Sequence, residues 1–125
     1  MGQVFKAIIY QVARQIGAEV VAVHLPTVTP NFCAAELKRA TMRFYVLCSN
    51  TDNWAFSRFF EPHISRLEFE DVPEAADALR SMFGKEPLSK SELEAPFQGR
   101  PGLSEEDIRY WRPSTQGDVL FNWWD

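Results

Sequence analysis

The chain has 125 residues, which is the usual size of a single domain and enough for one hydrophobic core. Hydrophobic residues make up 46% of it and charged residues 24%, which excludes the low-hydrophobicity, high-charge composition of disordered chains. The charge is uneven: residues 1–67 hold seven Lys or Arg against four acids, and residues 68–125 hold six against thirteen. Because nucleic acid binding needs clustered Lys and Arg, the acidic half argues against a direct nucleic acid ligand and favours a basic partner.

The N-terminal segment and the cysteines bear on location. Lys6 and Arg14 interrupt the first apolar residues, so the segment has neither the apolar region of a signal peptide nor a transmembrane span. Cys33 and Cys48 both fall in segments that we expect to be buried, which leaves neither a disulfide framework nor a metal-binding knuckle. We therefore predict a cytoplasmic protein with no cofactor, no bound metal and no membrane contact.

Apolar spacing predicts the first two elements. Apolar residues recur at helical spacing over residues 3–16, and Gly17 can adopt the left-handed conformation that ends a helix. Residues 19–25 are short and rich in valine, which predicts a buried strand. Two prolines bracket the next segment, so residues 27–31 are predicted to form a loop.

The middle of the chain is less uniform. Residues 32–40 stay open, because Asn31 could cap a short helix but the apolar spacing is poor. Residues 42–48 alternate with a period of two and are apolar on both faces, which predicts a central strand. A polar turn over 49–53 follows it. The aromatic stretch over 54–60 stays open between helix and strand.

A strand and a helix are predicted next. Residues 66–70 alternate between charged and apolar side chains, which indicates a half-exposed strand. Asp71 and Glu74 form a capping pair, and Pro73 occupies the first helical turn, where its missing N–H costs nothing. Gly84 then predicts the end of this helix.

The acidic half continues with a long connection. Residues 85–102 are polar and contain three prolines, which predicts a surface segment with one helical turn near 89–93. After it, Ser104 and Asp107 form a variant capping box, with an acid at the third helical position. A short helix is therefore predicted to begin there.

The last elements complete a layered domain. Leu103 and Ile108 are placed to make a hydrophobic staple around that cap, and Pro113 ends the short helix. Gly117 turns the chain into residues 119–124, whose alternation predicts a terminal strand. The expected fold class is a single α+β domain, with a mixed or antiparallel sheet of about four strands packed with about three helices.

Catalytic candidates are few. His24 lies in a valine-rich strand and His63 follows a proline in a loop, where structural or exposed histidines are common. Glu36-Leu37-Lys38 matches the E-x-K fragment of metal-dependent nucleases, but the expected Asp one strand earlier is missing and the only acid there is Glu19. We predict that the protein is not an enzyme. The alternative is a small hydrolase that uses His63 or an acid among residues 68–71, and those acids are equally explained as a solvated edge.

A mixture of aromatic and acidic residues is left over. The chain has ten Phe, four Trp and three Tyr, and several of them lie beside acids. Aromatic anchors supply binding energy at protein interfaces, and charges set partner choice. The predicted partner-binding residues are Asp52, Trp54, Glu70, Glu105, Asp107, Tyr110, Trp111 and Asp118. In the competing interpretation the aromatic residues fill the core and the acids cap helices.

Two segments carry a family resemblance. YWRP at residues 110–113 and GDVLFNWWD at 117–125 resemble the C-terminal pattern of immunity proteins from bacterial polymorphic toxin systems, and residues 44–83 are similar in the same way. The resemblance implies a protein that binds and blocks a cognate toxin domain, such as that of a contact-dependent growth inhibition system, inside the producing cell. It implies that the toxin is a nuclease, a tRNase or a DNase, whose basic active site the acidic half would cover. An adaptor domain is the remaining alternative.

Overall fold

The computed structural model describes residues 2–97 and 104–124. Its elements are α1 (Gly2–Ile16), β1 (Glu19–His24), β2 (Phe32–Arg39), β3 (Met42–Ser49), β4 (Trp54–Ser57), β5 (Phe69–Glu70), α2 (Pro73–Phe83), α3 (Lys90–Glu94), α4 (Glu105–Trp111) and α5 (Gln116–Leu120). The strands form one antiparallel sheet in chain order, β1-β2-β3-β4-β5. This confirms the predicted α+β class, with five strands instead of about four and five helices instead of about three in the described residues.

One face of the sheet is covered by α1 and α2. The apolar stripe of α1, which includes Phe5, Ile9 and Val12, is buried against alternate residues of β2, β3 and β4. Leu79 of α2 completes this core and has no exposed surface. The buried residues of α1 follow the predicted spacing, because a helix with apolar residues every three to four positions buries them as one stripe.

The opposite face holds a second, aromatic core. Phe32 of β2 is its centre, with edge-to-face contacts to Phe60, Phe121 and Trp123 at ring-centroid distances of 5.7, 5.7 and 5.2 Å. Such tilted aromatic pairs add to the free energy of burial. Leu93 of α3 is also buried in this cluster. Both faces of the sheet are therefore covered, which accounts for much of the high aromatic content.

Each of the two segments left open by the sequence contains a strand, β2 in the first and β4 in the first four residues of the second. β2 pairs along its whole length with β3, from Phe32 opposite Ser49 to Arg39 opposite Met42. Its weak periodicity has a physical cause: side chains are buried on both faces, so there is no polar side to alternate with. β4 is buried at all four positions for the same reason.

The first strand lies at the predicted position, but it is a partly exposed edge of the sheet and not the buried strand that its valines predict. The first helix and the central strand are confirmed, and so are the ends of two helices. Gly17 and Gly84 have φ values of 73° and 64°, the left-handed conformation that the predicted helix ends require. Ser104 accepts a hydrogen bond from the Asp107 backbone N–H at 3.0 Å, which is one half of the predicted capping box. Leu103, the other half of the predicted staple, lies outside the described residues.

The predicted cap at Asp71 is wrong. The residue before α2 is Val72, which makes no side-chain cap. The Asp71 carboxylate instead accepts a hydrogen bond from the Lys90 backbone N–H at 2.9 Å, so it ties the start of α3 to the end of β5. The turn predicted near residues 89–93 is α3, and a full capping box between Ser89 and Glu92 begins it.

The predicted terminal strand is also wrong. Residues 116–120 form α5, and 121–124 continue without regular structure. Thr115 and Asp118 form a capping box that starts the helix, since the Asp118 carboxylate accepts from the Thr115 N–H and the Thr115 hydroxyl from the Asp118 N–H. This local hydrogen bonding outweighs the alternating apolar pattern. No helix in the described residues is long and apolar enough to cross a membrane.

Candidate functional site

A cleft of about 280 Å³ opens where the C-terminal segment crosses the end of the sheet. We call it the C-terminal cleft. Ser65, Leu67 and Phe69 line one side of it, from the loop before β5 and from β5 itself. Residues 111–113, 117–118 and 121–124 supply the other side. Aromatic rings and polar side chains both line it, and binding sites combine the two to bind and orient a ligand.

Aromatic rings dominate the C-terminal side of this cleft. Trp111 and Trp124 stack in parallel, with ring centroids 5.6 Å apart and an interplanar angle of 5°. The rings of Tyr110 and Trp111 are in edge-to-face contact, with their centroids 4.8 Å apart, and Tyr110 is 76% exposed. Rigid, partly exposed rings of this kind are the residues that most often anchor protein partners. Three of the four tryptophans, counting Trp123, therefore line one cleft.

Asn31 holds the C-terminal side in place from the far end of the chain. Its side-chain amide donates to the Leu120 carbonyl at 3.1 Å, and its Oδ1 accepts from the Asn122 N–H at 2.9 Å. Its backbone N–H also donates to the Asn122 carbonyl at 2.9 Å. Trp123 adds a hydrogen bond from its indole N–H to the Pro62 carbonyl at 2.9 Å. These contacts replace the strand pairing that the segment lacks.

Ser57 holds the opposite side. It is fully buried, and its hydroxyl donates to the Phe59 carbonyl at 2.6 Å. It also accepts from the backbone N–H groups of Phe59 and Glu68, at 3.2 and 3.1 Å. A hydroxyl has one donor and two acceptor positions, so Ser57 uses its full capacity to close the loop over residues 58–68.

The predicted site residues divide between two regions. Trp111 and Asp118 line the C-terminal cleft, and Tyr110 lies on its outer flank. Glu105 and Asp107 are exposed in the first turn of α4, the helix that also carries Tyr110 and Trp111.

Glu70 lies near the cleft but is already partnered. Its carboxylate is within 3.5 Å of the Arg58 Nε. Arg58 lines a second cleft, which shares Leu67, Phe69 and Asp118 with the C-terminal cleft. Glu70 is therefore less free to meet a partner than the acids of α4.

Trp54 does not belong to the surface. It is 2% exposed, it stacks on Phe5 at 5.8 Å, and its indole N–H donates to the Asp52 carboxylate at 2.8 Å. β4 turns this side chain towards α1, so the prediction that it contacts a partner is corrected to a core position. A tryptophan beside an acid looks the same in sequence whether it is buried or exposed.

Asp52 belongs to the turn between β3 and β4, away from the cleft. The Lys85 ammonium donates to its carboxylate at 2.8 Å, and this hydrogen bond, together with that from Trp54, lowers the pKa of Asp52. Its φ of 62° lies in the left-handed region, which Asp tolerates better than most residues. These contacts give Asp52 a structural role within the fold that requires no partner protein.

Asp52→Asn is expected to reduce the pH dependence of stability on the acid side. Because the folded pKa is lowered, the charged carboxylate stabilises the fold above its unfolded pKa, near 3.8, and this stabilisation is lost as the pH falls through the lower folded value. Urea denaturation measures the free energy of unfolding at neutral pH and at pH 3. The difference between these two values should be smaller for Asp52→Asn than for the parent chain. Asp77→Asn is a matched exposed control, and an equal change in both variants would contradict the prediction.

The catalytic alternatives meet no organised site in the described residues. His63 is exposed in a loop and lines none of the clefts described above. Glu36 of the E-x-K fragment accepts from Arg43 at 2.9 Å and from the Tyr45 hydroxyl at 3.4 Å. Across residues 2–97 and 104–124, no three His, Cys, Asp or Glu side chains are grouped so that they could hold a metal ion.

The two cysteines are free and buried, as predicted. Cys33 and Cys48 lie opposite each other on β2 and β3. Burial raises the pKa of both thiols, that of Cys48 to about 12. They are therefore protonated at neutral pH, and a protonated thiol is a poor nucleophile.

Several residues that build the cleft were not among the predicted site residues. The sequence indicates only a strand for Leu67 and Phe69 and only a possible helix cap for Asn31. The adjacent Trp123 and Trp124 were the available signal, because two neighbouring tryptophans rarely both fit into the core of a small domain.

Comparison with known proteins found no match: no family model matches the chain, and no curated protein or solved structure matches it. The family resemblance noted in the sequence therefore enters the functional interpretation only as a proposal.

Proposed function

We propose that the protein is an immunity protein, which binds a cognate bacterial toxin domain in the cytoplasm and neutralises it without catalysing a reaction. The supporting observation is the C-terminal cleft together with α4 beside it, a helix that carries exposed acids, an exposed tyrosine and a partly exposed tryptophan. α4 carries Glu105 and Asp107 in its first turn and Tyr110 and Trp111 in its last. This combination supplies both the anchors and the charges of a protein interface.

The charge of this region favours a basic partner. α4 begins with three consecutive acids, residues 105–107, and all three are exposed. Asp118 adds a further exposed carboxylate at the cleft, although one of its oxygens is used in the helix cap. Toxin nucleases that act on tRNA or DNA need basic surfaces to hold phosphates. An acidic protein that covers such a surface would compete with the substrate and associate rapidly.

The binding energy is expected to come mainly from the rings. Tyr110 is 76% exposed in the free protein, and Trp111 is partly exposed beside it. Burying aromatic side chains at the centre of an interface typically contributes more than the surrounding charges, which set orientation and association rate. The cleft and α4 should therefore form the centre of the contact, and the remaining acids its rim.

The direct test is co-expression with the toxin domain encoded beside this chain. The parent chain should restore growth and co-purify with the toxin. Reversing two charges with Glu105→Lys and Asp107→Lys should weaken binding about 10- to 100-fold, as expected for losing close charge pairs at an interface. Calorimetry on the purified pair would measure this change.

A matched control is available on the other side of the sheet. Glu74→Lys with Asp77→Lys makes the same charge change in α2, which covers the face of the sheet shared with α1. This variant should bind the toxin within about threefold of the affinity of the parent chain. His63→Ala should also leave rescue intact. Equal rescue by all three variants would overturn the site assignment. Turnover of a substrate by the isolated chain, lost in His63→Ala, would replace the proposal with the hydrolase alternative.

A further inference from the structure

We propose that β1 pairs with β1 of a second copy of this chain, so that two sheets join into one continuous antiparallel sheet. This inference is independent of the toxin. It rests on the free edge of the sheet, on the register that a bulge imposes, and on the side chains that this register places opposite each other.

β1 is the long open edge of the sheet in the described residues. Within residues 2–97 and 104–124 it pairs with β2 on one side only, and residues 19–24 form no backbone hydrogen bond to another element on the other side. The opposite edge, β5, is only two residues long and is contacted by α3. An exposed six-residue edge is a template for another strand. Because only one edge can act in this way, pairing stops at two chains.

A bulge fixes the register of the pairing. The pairing of β1 with β2 shifts between Val20 and Ala22, which leaves Val21 without a partner. As a result Glu19, Ala22 and His24 share one face of the sheet, and Val20 and Val23 share the other. Directly opposed residues in antiparallel strands must lie on the same face. A two-fold axis between positions 21 and 22 satisfies this requirement for both ends of the strand.

This register is chemically self-complementary. It places Glu19 of one chain opposite His24 of its partner, twice, so a carboxylate meets an imidazole that can donate a hydrogen bond. It also places Val20 opposite Val23 twice, on the face covered by α1. Valine pairs of this kind stabilise adjacent strands. Bulges often protect edges from pairing, but here the bulge brings the two end residues onto a common face.

The apolar core is incomplete along this edge. Val20 and Val23 pack against the core of the α1 face but remain partly exposed, as do the neighbouring Ile16 and Ala18. Val21 is 44% exposed. A second copy of the edge would cover these side chains with the same residues, which removes apolar surface from water on both chains.

Sedimentation equilibrium of the purified chain tests the proposal. The parent chain should form dimers with a Kd between about 1 µM and 1 mM, a range that the method can cover. Val21→Lys places two like charges beside the two-fold axis and should raise the Kd at least about 10-fold. Val28→Lys makes the same change at a loop valine that is 79% exposed and should leave the Kd unchanged.

A crosslink tests the register itself. With both Glu19→Cys and His24→Cys in one chain, mild oxidation should give a disulfide-linked dimer. The two positions are about 16 Å apart along one strand, too far to join within a chain. The variant with Glu19→Cys alone should crosslink far less, because its single cysteine would face His24 of the second copy and not another cysteine.

Two results would overturn the proposal. One is a chain that stays monomeric up to about 1 mM. If Val21→Lys then abolished toxin binding, the β1 edge would instead be the site where a strand of the toxin pairs. The other is a dimer that Val21→Lys leaves intact, since it would use another surface. Either result would leave the proposed immunity function standing, because growth rescue by the parent chain tests that function separately.

Discussion

Ser57→Ala is expected to lower the free energy of unfolding by about 1–3 kcal/mol, because it leaves partly buried backbone groups without hydrogen-bond partners. The hydroxyl serves the Phe59 carbonyl and N–H and the Glu68 N–H at distances of 2.6 to 3.2 Å. None of these groups gains a replacement from a methyl group. The loop over residues 58–68 should loosen, and with it the side of the cleft that carries Ser65 and Leu67.

Urea denaturation followed by tryptophan fluorescence measures both effects. Ser81→Ala is the matched control, since its hydroxyl lies on an exposed helix position and makes one bond of 3.5 Å. It should change the free energy of unfolding by less than about 0.5 kcal/mol. If Ser57→Ala were as stable as this control, the loop would not depend on the hydroxyl. Weaker toxin binding by Ser57→Ala than by Ser81→Ala would link the loop to the proposed function.

Gly117→Ala is expected to lower the free energy of unfolding by about 1–3 kcal/mol, the usual cost of overpacking a tight contact. An added Cβ would lie 2.9 Å from the Phe69 Cζ and 3.1 Å from the Leu93 carbonyl oxygen. Alanine favours a helix over glycine by about 1 kcal/mol, so a net loss would show that the close packing of α5 outweighs helix propensity. The variant should also shift the tryptophan emission, since Trp111, Trp123 and Trp124 all line the same cleft.

Gly84→Ala separates packing from backbone strain. Gly84 has a φ of 64° and no atom within 4 Å of an added Cβ, so alanine there should cost about 1–2 kcal/mol through the left-handed conformation alone. Its tryptophan emission should match that of the parent chain. A parental emission spectrum for Gly117→Ala as well would show that α5 does not set the geometry of the cleft.

Much of the fold could be predicted from local signals. The stripe of α1, the apolar alternation of β3 and the glycines at positions 17 and 84 are each decided within a few residues, and the structure confirms them. β2 and β4 could not be assigned because their identity depends on being covered on both faces, which is a property of the assembled sheet.

The errors have the same origin. Asp71 has the sequence of a helix cap, but it binds the Lys90 N–H 19 residues later. The terminal segment has the alternation of a strand, but Thr115 and Asp118 start a helix and Asn31 supplies its remaining hydrogen bonds. The cleft was only partly predictable for this reason: Trp111 and Asp118 were identified from their composition, whereas Phe69 and Asn31 are brought to it by contacts distant in sequence.

The chain-order arrangement of the sheet has a consequence for folding kinetics. Strands β1 to β4 pair with their immediate neighbours in the chain, so most of the sheet can form through short loop closures, which favours rapid folding. The contacts between Asn31 and Asn122 span 91 residues and must form after a much longer closure. We expect them to be absent from the folding transition state. Weakening them should therefore accelerate unfolding while leaving the folding rate almost unchanged.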